Sequence, residues 1–189
     1  MSVEELRIDI AKRNKSGIAF ILASIIIWTG ILVVWRLPID NIVTQNLLTF
    51  MLTTPMMPLA FVISKIIKAE FSAKNNPLHN LGFLFSMNQM LYVLIAMWAY
   101  NAAPENMVMI LAIIFGAHLM PFGWLYKSKA YTVMSVIIPL GILIVGFNLK
   151  QDQIYVIPCV MLGLEIIFSL WLAIENKKLA SMKTTLENV

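Results

Sequence analysis

One cysteine, Cys159, in 189 residues excludes an intramolecular disulfide and any cysteine-rich metal cluster. Charge is also scarce. Asp, Glu, Lys and Arg make up 13% of the chain, about half of the ~25% carried by an ordinary soluble domain. The sequence has no phosphate-binding glycine loop, no HExxH pair, no CxxC and no G-x-S-x-G elbow, so the common nucleotide, zinc, redox and serine-hydrolase chemistries lack their scaffolds. Histidine occurs twice, too rarely for a multi-histidine metal centre, and no lysine lies mid-span to carry a Schiff base. Neither metal nor cofactor is expected.

Apolar residues fill that gap, at 60% of the chain. Six runs stand out, at 18–37, 46–66, 81–100, 106–126, 129–147 and 154–174. Each is long enough to cross roughly 30 Å of hydrocarbon at about 1.5 Å per residue. Turn residues separate them, among them Pro38 to Asn41, Asn75-Asn76-Pro77, Asn101 to Pro104 and Lys150-Gln151-Asp152. The expectation is an all-α, polytopic bundle of six transmembrane helices. It divides into a cytoplasmic segment 1–17, a membrane domain 18–175 and a cytoplasmic tail 176–189. The first run has no small-residue cleavage site and reads as an uncleaved span.

Basic residues set the orientation. With the N-terminus inside, Arg7, Lys12, Arg13, Lys15, Lys65, Lys68, Lys74, Lys127, Lys129, Lys177, Lys178 and Lys183 face the cytoplasm, and Arg36 and Lys150 alone lie outside. This positive-inside bias predicts both termini in the cytoplasm. Trp35, Trp98, Tyr100 and Tyr155 then mark outer ends, and Trp124, Tyr126, Tyr131 and Trp171 inner ends, as an interfacial aromatic belt requires. The basic pI of 9.2 is thus explained by topology, with the lipid bilayer as partner and no nucleic acid. Residues 2–15 carry Ser2 and Glu5 at capping-box spacing with Val3, Leu6 and Ile10 on one face, which predicts a short amphipathic helix. It could pack on the bundle, lie on the membrane surface or remain a solvated leader.

Polar side chains at bilayer depth are costly, so they are the first candidates for function. Asn88, Gln89, His118 and Glu165 all fall near the middle of their runs and could share one layer. Glu165 is the one acid far from a helix end, and His118 is its natural partner, a pair suited to exchange a proton or to lock two helices together. Asn88 and Gln89 point about 100° apart; Tyr92 and Phe85 share the Asn88 face. In the second run, Thr53-Thr54-Pro55-Met56-Met57-Pro58 predicts a kink whose freed carbonyls either line a solute site or are satisfied by the threonine hydroxyls. Trp28, near mid-span, needs an acceptor for its indole N–H.

Three stretches carry a resemblance: Asn76 to Phe85, Asn88-Gln89-Met90-Leu91-Tyr92, and above all Gly116-Ala117-His118-Leu119-Met120-Pro121-Phe122-Gly123-Trp124-Leu125-Tyr126. Through them the chain resembles a bacterial family of small integral membrane proteins of unknown function. The resemblance implies a multi-pass protein of the bacterial inner membrane and assigns no catalytic or binding residue.

The leading functional expectation is small-solute or proton-linked transport, or ligand binding, at a midplane pocket built from Glu165, His118, Asn88, Gln89, Tyr92, Thr53 and Thr54. A homodimer is a candidate assembly, since six helices form a narrow body. The alternatives are an intramembrane enzyme acting on a lipid-like substrate, disfavoured by the missing nucleophile and metal, and a non-catalytic membrane partner whose polar layer is helix glue.

Overall fold

The computed structural model describes residues 1–186, with side chains described to Ser181. Among the described residues every regular element is a helix, the α-helices being α1 (Val3–Arg13), α2 (Ile18–Arg36), α3 (Ile42–Thr53), α4 (Met56–Ile66), α5 (Leu78–Ala102), α6 (Met107–Ala117), α7 (Met120–Leu125), α8 (Lys129–Phe147) and α9 (Val156–Leu186). Five spans are long and apolar enough to cross a membrane, and six if the bent pair α3 and α4 counts as one. The chain is therefore an all-helical bundle compatible with a membrane protein.

The bend between α3 and α4, 40°, follows from Thr53-Thr54-Pro55. Pro55 has no N–H to offer the Met51 carbonyl, so the helix must break or find a substitute donor. The Thr54 hydroxyl is that donor, at 2.7 Å from Met51 O, and Thr53 Oγ1 donates to Phe50 O at 2.7 Å. The threonines thus serve the kink itself.

The expected fourth run is also interrupted. Helix α6 ends at Ala117, His118 caps it, and α7 resumes at Met120 with Pro121 in its first turn. The third and sixth helices outrun their apolar stretches. Helix α5 begins at Leu78 directly after Pro77, and α9 continues as a helix through most of the expected tail; residues 187–189 of that tail lie outside the described residues.

Helices α2, α6, α8 and α9 form the centre of the bundle. Close approach of α6 and α8 depends on Gly116, where a Cβ would lie 2.6 Å from Ile138 Cγ2 and 2.7 Å from Pro139 Cδ. Helix α1 packs on one end of the bundle, the α1 end. Its start is fixed by the capping box: Ser2 Oγ accepts from Glu5 N and Glu5 returns an acceptor to Ser2 N at 2.7 Å. Ile10 and Ala11 are buried, and Ile10 shares a small core with Ala73 and Leu125. Of the three placements open to this segment, packing on the bundle is the one observed.

Candidate functional site

Helix α9 presents its acid at mid-span to α2. Glu165 is fully buried, and Ser24 Oγ lies 2.8 Å from its Oε1. The same Ser24 oxygen is 2.8 Å from Ile21 O, and Glu165 Oε2 has no hydrogen-bond partner. Serine suits this position because its short side chain can bond to its own helix and still reach across to the next.

His118 occupies the α6–α7 break and sits apart from that pair. Its ring packs edge-on to Phe115 at 5.4 Å and Phe122 at 6.1 Å. Nδ1 is enclosed and unpartnered, and no hydrogen bond or ion pair joins His118 to Glu165. The aromatic chain continues through Phe122, Tyr126 and Tyr131 to Phe168, one turn from Glu165. Trp28 meets Phe115 edge-on at 6.3 Å.

The other sequence candidates lie elsewhere. Asn88 is on the exposed side of α5, where its Nδ2 donates to the Tyr92 hydroxyl at 2.9 Å. Gln89, half-buried, points away from it as helical geometry demands. Thr53 and Thr54 are committed to the backbone of α3. The seven candidates therefore do not converge on one pocket. Two cavities lie near the α1 end, one of about 20 Å³ bordered by Asn14, Ser64 and Tyr126, the other an open groove of about 240 Å³ bordered by Lys127, Ser128 and Lys129. Neither is lined by Glu165 or His118. Among the described residues no group of three or more His, Cys, Asp or Glu side chains is placed to hold a metal ion.

The densest polar network is at the α1 end, and sequence reasoning passed over it. Glu175 of α9 accepts from Ser128 Oγ at 2.5 Å and from Ala130 N at 3.0 Å, placing a carboxylate on the N-terminus of α8, where the helix dipole favours it. Its neighbour Asn176 donates to Lys15 O at 2.9 Å and accepts from Ser16 Oγ at 2.8 Å. These two bonds hold a left-handed bend, with φ of 48° at Lys15, 51° at Ser16 and 68° at Gly17, that turns α1 into α2. Lys15 Nζ donates to Ile67 O at 2.5 Å, closing the end of α4.

Helix α1 is fastened from the other side as well. Asn76 donates to Leu6 O at 2.8 Å and to Asp9 Oδ2 at 2.9 Å. Arg13 pairs with Glu70 at 2.6 Å, which raises the guanidinium above its ordinary value. Arg7 donates to Trp124 O at 2.7 Å while its guanidinium covers the Trp124 ring. Lys127 pairs with Glu4, and this hydrogen bond is the main reason the Glu4 carboxyl lies below the ordinary carboxylate value. The readable signal is positional: Arg7, Arg13, Lys15 and Lys127, the basic residues that set the expected topology, also tie helix ends together.

No curated protein and no solved structure matches the chain. One family profile does, over residues 3–175, nearly the full length. The chain belongs to that family, described as a family of unknown function (DUF7010).

Proposed function

We propose that Glu165 takes up and releases a proton while the protein binds or moves a small solute across a membrane, and that the packed layer around it is the closed state. The observation carrying this reading is the hydrogen-bond arithmetic at Ser24. Its single hydroxyl hydrogen cannot serve both Ile21 O and Glu165 Oε1, each 2.8 Å away. A proton on Oε1, donated to Ser24 Oγ, leaves the hydroxyl free for Ile21 O, so that each of these two contacts has its own hydrogen. The broken span α3–α4 adds support, because interrupted helices accompany solute sites in many carriers. Placement in a bacterial inner membrane with both termini cytoplasmic belongs to the same proposal and rests on the distribution of Lys and Arg.

The complete burial of Glu165 favours a second reading, in which the Ser24–Glu165 contact is a permanent clasp between α2 and α9. An enzyme acting on lipid draws no comparable support, since His118 and Glu165 share no contact that would make them acid and base.

Modification with dicyclohexylcarbodiimide separates the first two readings. This apolar reagent adds to protonated carboxyl groups that it can reach. If the layer opens, peptide mapping finds an adduct at Glu165 that diminishes as pH rises, and Glu165→Gln abolishes it. Absence of that adduct at every pH, in protein that remains folded, would establish the permanent clasp.

A further inference from the structure

Helix α5 combines two properties that conflict in a lipid-facing helix. It is the least apolar of the five spans, yet only 6% of its most apolar stretch is buried, against 33 to 56% for the others. A span surrounded by hydrocarbon should be the most apolar, because each amide left without a partner there is costly. On this helix the outward mid-span position is Asn88, two residues from the centre of Leu78–Ala102. One N–H reaches Tyr92, while its carbonyl oxygen and second N–H have no partner among the described residues. At that depth a lipid headgroup is roughly 15 Å away and offers none.

The side chains around Asn88 repeat with a particular period. The three most exposed large apolar residues of α5 are Leu84 at 60%, Leu91 at 63% and Trp98 at 63%, spaced by seven. Asn88 and Ile95 fall between them, giving 84, 88, 91, 95 and 98 on a strip roughly 80° wide, the alternating four-and-three spacing of a left-handed coiled-coil seam. A single Asn within such a seam sets register and oligomeric state.

We infer that this strip of α5 is the interface of a homodimer, with Leu84, Asn88, Leu91, Ile95 and Trp98 packing against the same residues of a second copy. The occupant follows from symmetry. Two copies inserted with the same topology are related by an axis along the membrane normal, so every residue meets its counterpart at equal depth. Asn88 then faces Asn88, and an amide, being donor and acceptor at once, complements itself. A different protein would have to supply a matching polar group at the same depth.

Because all five positions are exposed, substitutions there leave the monomer core untouched. In a Cys159→Ser background, single cysteines are introduced as Leu84→Cys, Leu91→Cys and Trp98→Cys on the strip, and as Met90→Cys and Met97→Cys on exposed positions beside it. Mild oxidation in native membranes should give dimers from the strip variants at several-fold higher yield than from the flanking pair. Adding Asn88→Leu should weaken association about threefold, as expected for one interhelical amide bond of ~0.6 kcal/mol. Uniform yields at all five positions would overturn the proposal. So would a cross-link from the strip to a different protein with no homodimer formed.

Discussion

The α1 end and the mid-span layer handle polar groups in opposite ways. At the α1 end, Glu175, Asn176, Asn76, Arg13 and Lys15 join segments far apart in sequence, and each makes at least one bond of 2.9 Å or shorter. At mid-span, Glu165 keeps one short contact and leaves an oxygen bare, while His118 rests on aromatic edges with Nδ1 unused. The five residues at the α1 end are bonded as helix ties should be, since an unpaired buried group costs about 1–3 kcal/mol; Asn14 Oδ1 is the exception there. Glu165 and His118 are the titratable residues among those with a buried unpartnered atom, and there a purpose other than stability is worth seeking.

The contrast is sharpest if the saturated end fails when cut. Glu175→Ala strips acceptors from Ser128 and from Ala130 N and removes the negative charge at the start of α8. It should destabilise the protein by about 2–3 kcal/mol, read as a lower thermal midpoint in detergent. Gly116→Ala, which drives a Cβ into Ile138 and Pro139 between α6 and α8, should cost about 1–3 kcal/mol by overpacking, measured in the same way. Asn176→Ala should cost less, about 1 kcal/mol, and should speed proteolysis at the Lys15–Gly17 bend.

The mid-span layer should respond differently. Glu165→Gln keeps a donor to Ser24 Oγ in its amide N–H and should change the thermal midpoint by less than ~1 kcal/mol equivalent while abolishing any pH-dependent solute effect. A loss of stability as large as that of Glu175→Ala would erase the distinction between the two regions and leave both as scaffolding.

The smallest effect concerns pH at the α1 end. Because the Glu4 carboxyl is held below its ordinary value of 4.5 by Lys127, its contribution is fully present above that value and disappears as pH falls through the lower, folded one. Hydrogen exchange in α1 should thus be constant from about pH 8 to about pH 5, after correction for intrinsic rates, and rise modestly on further acidification. Glu4→Gln should remove that step.

Much of this architecture was legible in advance. Long apolar runs, turn residues between them and the Ser2–Glu5 capping box anticipated the helices, since helix formation depends on neighbours a few residues away. The proline-induced break at Thr54–Pro55 was legible for the same local reason. Rotation about each helix axis was not. Asn88 and Glu165 both fall near the middle of their apolar runs, yet one faces outward and the other inward, and position along a run follows from residue count whereas direction depends on which helix packs alongside.

By itself, then, the sequence determined the helical class, the approximate spans and the polar residues that merit attention, because composition and short-range periodicity are properties of the chain alone. Only the tertiary structure decided that His118 and Glu165 go separate ways, that Ser24 is the residue meeting the acid, and that Glu175 and Asn176 bind the α1 end. Those are contacts between residues up to 161 positions apart, and such pairings arise from the packing of whole helices, which no local pattern encodes.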